Sequence, residues 1–316
     1  MVCASEGEIP RQTQPRFKTM AYLSTNKTTS YTFGAENNFV FSWGSSTKID
    51  LGEGRNTLIG IGNDQEIESG SGDDFIYLIG DNQSVKSRGG NNKVYTSWGD
   101  DRVILGDGND FVSSGSGDDL ISTFGGNDVI KAGAGDDTIF AGDGDDDVSA
   151  GLGNDYILVG SGRNTARGGH GDDVISGGKA NGTNIFFGGT GEDKLLGGAA
   201  NDYLNGGQDD DYLEGKGGVN SYVGGSGADT FVLGQGGRHY IADFNLNEGD
   251  TLLLGQEGVN ADFDQFFAFA YQSSGQNRLI ASGEMGGKQF YAEIDSSTMS
   301  MQEMQWMSFE MNNQFG

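Results

Sequence analysis

A nine-residue unit of the form G-G-x-G-x-D-x-U-x, with U a large apolar residue, recurs almost without a break from about residue 51 to residue 232. Copies such as AGAGDDTIF (132–140), AGDGDDDVS (141–149), GGHGDDVIS (168–176), GGTGEDKLL (188–196) and GGSGADTFV (224–232) agree in both spacing and residue type. A fixed short period restricts a chain to a solenoid, because a unit this small can bury its apolar side only against its neighbours. Six residues rich in Gly and Asp make a turn. Three more make a short strand whose middle side chain points inward, since side chains alternate across a strand. One unit can only reverse the chain, so two units close a coil, and odd and even units stack into two parallel sheets.

The eighth position of the unit carries the inward residue, and its series extends beyond the glycine-rich copies. It runs from Tyr31, Val40 and Ile49 through Val103, Ile121 and Ile139 to Ile175. A unit lengthened by two residues (177–187) then shifts the frame, and the series resumes at Phe186 and continues through Leu195, Leu204, Leu213, Tyr222 and Phe231 to Tyr240. These are mostly β-branched, aromatic or leucine side chains, which suit stacked strands. The reading is an all-β chain: a right-handed parallel β-roll of about 12 coils, roughly 55 Å long at ~4.8 Å per stacked strand. The roll is placed at 24–241 after an N-terminal tail, 1–23. Alternating apolar stretches in 242–316, such as FFAFAY (266–271), RLIASG (278–283) and KQFYAEI (288–294), read as a C-terminal antiparallel β cap. The Met-rich stretch MSMQEMQWMSFEM (299–311) reads as a short amphipathic helix or a strand, used for packing.

The charge is as one-sided as the repeat. The chain has 46 acidic and 19 basic residues, a net charge of −27, and only 34% hydrophobic residues. Such a chain repels itself and has little apolar surface to bury, so it needs a supplied cation to fold. Its acidity argues against nucleic acid and anionic membrane surfaces as partners. No membrane span is expected, since no stretch approaches the ~18 apolar residues required. The start, MVCASEGEIPRQTQPRFKTM, shows no apolar core of a cleavable signal peptide. Cys3 is the single cysteine, which excludes an intrachain disulfide and a cysteine-based zinc site. His170 and His239 are the two histidines and form no HExxH motif, and the glycine–serine runs at 115–117 and 225–227 are repeat turns, not nucleophile elbows. No catalytic residues are expected.

Sorting the sixth position by coil separates two edges. One reads Thr47, Gln65, Gln83, then Asp101, Asp119, Asp137, Asp155, Asp173, Asp193, Asp211 and Asp229. The other reads Asn38, Asn56, Asp74, Asn92, Asp110, Asp128, Asp146, Asn164, Asn184, Asp202 and Asn220. Carboxylates stacked ~5 Å apart repel by roughly 1 kcal/mol per neighbour even at high dielectric. A divalent cation between them removes that cost. An Asn can ligate through its amide oxygen, or it can hydrogen-bond to its neighbours in a ladder without metal.

The repeats, and the closing segment IADFNLNEGDTLLL, resemble the RTX (repeats-in-toxin) calcium-binding β-roll family over roughly two thirds of the chain. The closing segment departs from that family's pattern by two extra residues between Phe244 and Gly249. The resemblance implies Ca²⁺ held between turns one coil apart by sixth-position carboxylates and turn carbonyls, a donor set that suits a hard cation taking 6–8 oxygens. The implied ligands are Asp101, Asp119, Asp137, Asp155, Asp173, Asp193, Asp211 and Asp229 on the continuous edge and Asp110, Asp128, Asp146 and Asp202 on the mixed one. The turn glycines Gly115, Gly117, Gly133, Gly135, Gly151 and Gly153, and Asp243 and Asp250 of the closing segment, complete the set. About ten ions are expected, about seven on the continuous edge, with 100–232 the calcium-binding part and 24–99 calcium-poor.

The resemblance also implies export through a type I system. Residues 250–316 are similar in position to its uncleaved C-terminal signal, which places the protein outside the cell or on its surface. The leading functional expectation is a non-catalytic, calcium-folded structural or adhesive protein. The alternatives are a virion or surface-layer subunit using the roll as a rigid spacer, and the repeat module of an exported enzyme. Outward positions of one sheet carry Phe39, Phe41, Phe75, Tyr77, Tyr95 and Phe111, too apolar for a solvated face. Either the C-terminal segment around Phe266–Tyr271, another protein or a second subunit is expected to cover them.

Overall fold

The structure is a computed structural model that describes residues 18–24, 29–178, 182–234, 237–254, 263–273, 276–285, 288–296, 300–305 and 307–308. Cys3 and most of the expected N-terminal tail lie outside the described residues, as do the side chains of 263–273. Strands build two long sheets, one of 16 strands and one of 13. Alternate strands in chain order fall in opposite sheets, as two units per coil require. The pairing is parallel throughout the roll: Val112 faces Val94 and Ile130 in the first sheet, while Ile121 faces Val103 and Ile139 in the second. The lengthened unit also behaves as expected, since Thr165 pairs with Ile185 and Tyr203 with Ser221. The fold is thus an all-β parallel roll of about twelve coils.

The eighth-position series forms two files down the middle, one from each sheet. Val40, Ile76, Val112, Ile139, Phe186 and Phe231 are fully buried, with every intermediate member. The last member does not fit. Tyr240 pairs with Ser221 and turns outward, while Ile241 pairs with Tyr222 and takes the inward place. The offset between these strands is one residue longer than in the repeats, so the alternation flips Tyr240 to the other face.

Three other features extend the sequence reading. Strands in the middle of the roll run six residues, such as Val129–Ala134 and Thr138–Asp143, because the ladder continues through the glycine at position two. The first position is buried as well, inside the strand at Leu78, Ala132 and Val159 and just past its end at Leu51 and Leu105. Parallel pairing also begins at Thr19–Ser24, within the segment read as a tail, and reaches Thr251–Leu254.

Past the roll, Phe263–Ser273, Gln276–Met285 and Lys288–Ser296 form an antiparallel meander. Its last strand pairs in parallel with Gly237–Ile241, so the meander lengthens the first sheet. Leu279, Ala281, Ala292, Ile294 and Met304 continue the core there. Residues 301–305 are helical, which settles the Met-rich stretch as a helix over its described part. Phe263–Ser273 is the far edge of the sheet and pairs with Gln276–Met285 alone. The strands bearing Phe39, Phe75 and Phe111 lie at the other end, so this segment does not cover the aromatic stripe.

Candidate metal centre

Each turn of the roll aims its sixth-position side chain back under the preceding coil. On the continuous edge, the Asp101 amide donates to Asp119 Oδ1, Asp119 to Asp137, Asp137 to Asp155 and Asp155 to Asp173, each at 2.8 Å. The column continues through Asp193 and Asp211 to Asp229, and Asp229 donates to Asp250 at 3.0 Å. The mixed edge follows the same pattern, with the Asp110 amide donating to Asp128 at 2.8 Å and Asp128 to Asp146 at 3.0 Å. One carboxylate oxygen of each Asp is thereby spent on tying coil to coil.

The other oxygen is what makes a site. Oδ2 of Asp101, Asp110, Asp119, Asp128, Asp137, Asp146, Asp155, Asp173, Asp193 and Asp211 is buried without a hydrogen-bond partner. Thr96, Ser114 and Thr123 lie beside three of these carboxylates, but their hydroxyls donate to the carbonyls of Ser114, Ala132 and Ala141. A buried, unsatisfied carboxylate oxygen is costly in isolation. A recurring column of them, with no donor supplied, fits a cation taking oxygen ligands. Glycine keeps the space around the oxygen open: a Cβ at Gly168 would lie 2.0 Å from Asp173 Oδ2. Glycine is needed for the turn too, since Gly133 has φ +130° and a Cβ there would lie 1.9 Å from the Gly115 carbonyl oxygen.

The asparagine positions show what the carboxylates lack. Asn56 Nδ2 donates to the carbonyls of Gly54 at 2.9 Å and Gly52 at 3.4 Å. Asn38 donates to Glu36 at 2.6 Å, Asn92 to Gly90 at 2.8 Å and Asn184 to Gly182 at 3.2 Å. The amide nitrogen brings positive hydrogens to turn carbonyls two and four residues upstream. At Asp137 the equivalent carbonyls belong to Gly135 and Gly133, and a carboxylate oxygen stands where the amide nitrogen would be. An ionised carboxylate there repels those oxygens unless a cation sits among them. On the continuous edge, Gln83 Nε2 does the amide's work by donating to Gly62 at 2.9 Å and Asp81 at 3.0 Å.

Burial shifts the carboxyls accordingly. Desolvation pushes Asp137 and Asp211 up to about 8, with neighbouring carboxylates adding to it. Desolvation likewise holds Asp101, Asp110, Asp146, Asp173 and Asp193 at about 7. These folded values exceed those of a free carboxyl, so bound protons stabilise the metal-free roll at acid pH and that help is lost as pH rises through 6 to 8. A cation entering the roll that those protons hold together must displace them. Calcium titrations begun from the acid-stabilised roll at about pH 5 to 6 are therefore expected to release protons, and the calcium midpoint should fall as pH rises from there. Heats measured at that pH in buffers of different ionisation enthalpy check this; identical heats would contradict it.

The remaining sequence candidates divide. Asp202 lies in the mixed column, but its Oδ2 accepts the Gly198 amide at 2.7 Å. Asp250 accepts the Asp229 amide with Oδ1 and the Asn245 amide at 2.7 Å with Oδ2, closing the column with donors on both oxygens. Asp243 stands apart from both columns and accepts the Gly224 and Gly225 amides at 3.0 and 2.9 Å. Asp74, absent from the implied ligand set, shares the buried, unpartnered Oδ2 and is pushed up to about 6 by desolvation. Its sixth-position register was the available signal. His170 is exposed, with Nδ1 2.7 Å from Thr190 Oγ1. His239 is buried against the Tyr222 hydroxyl at 2.8 Å, and desolvation lowers it to about 4.

Among the described residues, no three His, Cys, Asp or Glu side chains converge on one point. The donor set is pairs of carboxylates with backbone carbonyls, which favours Ca²⁺ over softer metals. Also among the described residues, no helix is long and apolar enough to cross a membrane. No curated protein matches the chain. The family model for the RTX calcium-binding nonapeptide repeat (4 copies) matches at 80–112, 87–121, 122–157, 151–183 and 180–213, over the coils that carry every unpartnered sixth-position carboxylate except Asp74. Residues 80–213 are a run of RTX calcium-binding nonapeptide repeats, folded as a parallel β-roll.

Proposed function

We propose that this is a non-catalytic structural or adhesive protein, exported from the cell and folded outside it by calcium. The observation that carries the reading is the column of buried aspartates whose second oxygen has no donor. With the net charge of −27, it leaves the metal-free chain poorly able to close its coils at neutral pH. At micromolar calcium the chain stays extended enough for export. At ~10⁻³ M, sites of extracellular strength fill and the roll forms. The ligands are the sixth-position aspartates with the carbonyls of their turns. About seven ions lie along the edge from Asp101 to Asp229, and fewer on the mixed edge, giving about ten. Native mass measurement in calcium is expected to show that number; a chain carrying one ion or none would overturn the reading.

A second reading, an assembly subunit that uses the roll as a spacer, is favoured by one observation. The first sheet is apolar on its outward side over the N-terminal coils, where the second sheet is charged.

A further inference from the structure

We infer that the junction of the roll and the meander is a binding site for a neutral sugar ring, free or as one unit of a glycan. The inference goes beyond the calcium reading, since no residue of the site belongs to the aspartate columns. A cavity of about 240 Å³ opens there on the outward face of the first sheet. Tyr203, Ser221 and Tyr240 of the roll line it together with Arg278, Glu293 and Asp295 of the meander.

The register builds the walls. Tyr203 pairs with Ser221 and Ser221 with Tyr240, so the two tyrosines stand two strands apart with a small side chain between them. Two strand spacings are roughly 9–10 Å. Each tyrosine is backed on its far side by another ring: Phe187 lies 5.9 Å from Tyr203 between centroids, and Tyr291 lies 6.4 Å from Tyr240. The near sides face the opening over Ser221, which has room for one saturated ring at ~4 Å from each tyrosine. A tyrosine offers an apolar body with a polar tip, which suits the C–H faces of a sugar.

Charge at the meander end selects the ligand. Arg278 pairs with Glu293 and stands 3.5 Å from Asp295. The Tyr291 hydroxyl also donates to Glu293, at 3.2 Å, so that carboxylate is committed within the protein. Asp295 receives less, since its Oδ1 is buried without a hydrogen-bond partner. An anionic ligand would meet two carboxylates in a chain of net charge −27, and a cationic one would meet the guanidinium. A hydrocarbon would leave Asp295 without a donor. Two adjacent hydroxyls satisfy the set, one donating to Asp295 and the other accepting from Arg278.

Saturation-transfer NMR on the full chain in millimolar calcium tests this, with the methyl glycosides of glucose, galactose and mannose as probes. At least one should receive magnetisation on its ring protons, with a Kd in the millimolar range that suits a single-ring site. Tyr240→Ala and Asp295→Ala should each weaken binding by about tenfold or more. Ser221→Tyr leaves both walls and the charged set in place. It should abolish transfer by filling the opening, with calcium-induced circular dichroism unchanged. Neutral oligosaccharides that bind more tightly than the glycosides would mark the source as a glycan, and equal affinity would mark a free sugar; either upholds the site. Transfer to none of the three glycosides, or transfer that survives Ser221→Tyr, would overturn the inference. So would binding of methyl glucuronide or tetramethylammonium in their place, since the cavity would then take a charged ligand. A failure of the calcium reading would appear separately, as a spectrum indifferent to calcium.

Discussion

In chelator at neutral pH, the chain is expected to lose most of its β-sheet circular dichroism, and millimolar calcium should restore it. Buried carboxylates stacked along the column from Asp101 to Asp229 would remain close together without counter-charge. Each pair then costs roughly 1 kcal/mol even at high dielectric, and the buried orphan oxygens add about 1–3 kcal/mol apiece. Summed over the column, that exceeds the margin by which an ordinary domain is stable. The loss should not be uniform. Between residues 38 and 92 the sixth positions are Asn or Gln, apart from Thr47 and Asp74, and the amide nitrogens of Asn38, Asn56, Gln65, Gln83 and Asn92 donate to turn carbonyls. Hydrogen exchange in chelator should leave its residual protection in these coils, and 100–232 should exchange freely. Equal protection in both halves with calcium removed would contradict the account.

Asp137→Asn is expected to act on metal and fold in opposite directions. The new amide nitrogen would take the place of Oδ2 and donate to the carbonyls of Gly135 and Gly133, as Asn56 does to Gly54 and Gly52. Its amide oxygen can still accept the Asp119 amide, so the coil-to-coil bond survives. The ions expected on either side, towards Asp119 and towards Asp155, should be lost or weakened. The calcium midpoint should move up, and the metal-free chain should become more ordered. Asp137→Ala removes the acceptor as well and leaves the Asp119 amide buried without one, at about 1–3 kcal/mol. It should weaken calcium binding and destabilise the metal-free state together. Calcium titrations followed by circular dichroism, with native mass ion counts, separate the two variants. An Asn variant with an unchanged ion count would remove Asp137 from the ligand set.

The nine-residue frame was legible because one residue in nine is apolar and always on the same side. Val40 through Phe231 needed no more than counting. The first-position file was hidden because it mixes Leu51 and Leu105 with Ser114, Thr123 and Gly168, which share small size or burial but no hydropathy. Tyr240 was misplaced because one extra residue in a degenerate coil flips the alternation, and Tyr and Ile are equally acceptable inward residues. The edges separated cleanly, since Asp and Asn differ in one atom that the chemistry reads. What the sequence could not show was the second oxygen. Asp202 shares the sixth-position register of Asp137, and the Gly198 amide that reaches its second oxygen sets it apart.

The central claim is that calcium sits between neighbouring sixth-position carboxylates and is displaced where an amide takes the cation's place. Anomalous scattering from crystals grown in calcium tests it most directly. The account predicts a file of peaks between successive aspartates from Asp101 to Asp229, a shorter file around Asp110, Asp128 and Asp146, and no peaks beside Asn38 or Asn56. Equal occupancy of both edges from the first coil onward, or peaks absent from the Asp101–Asp229 edge, would contradict it.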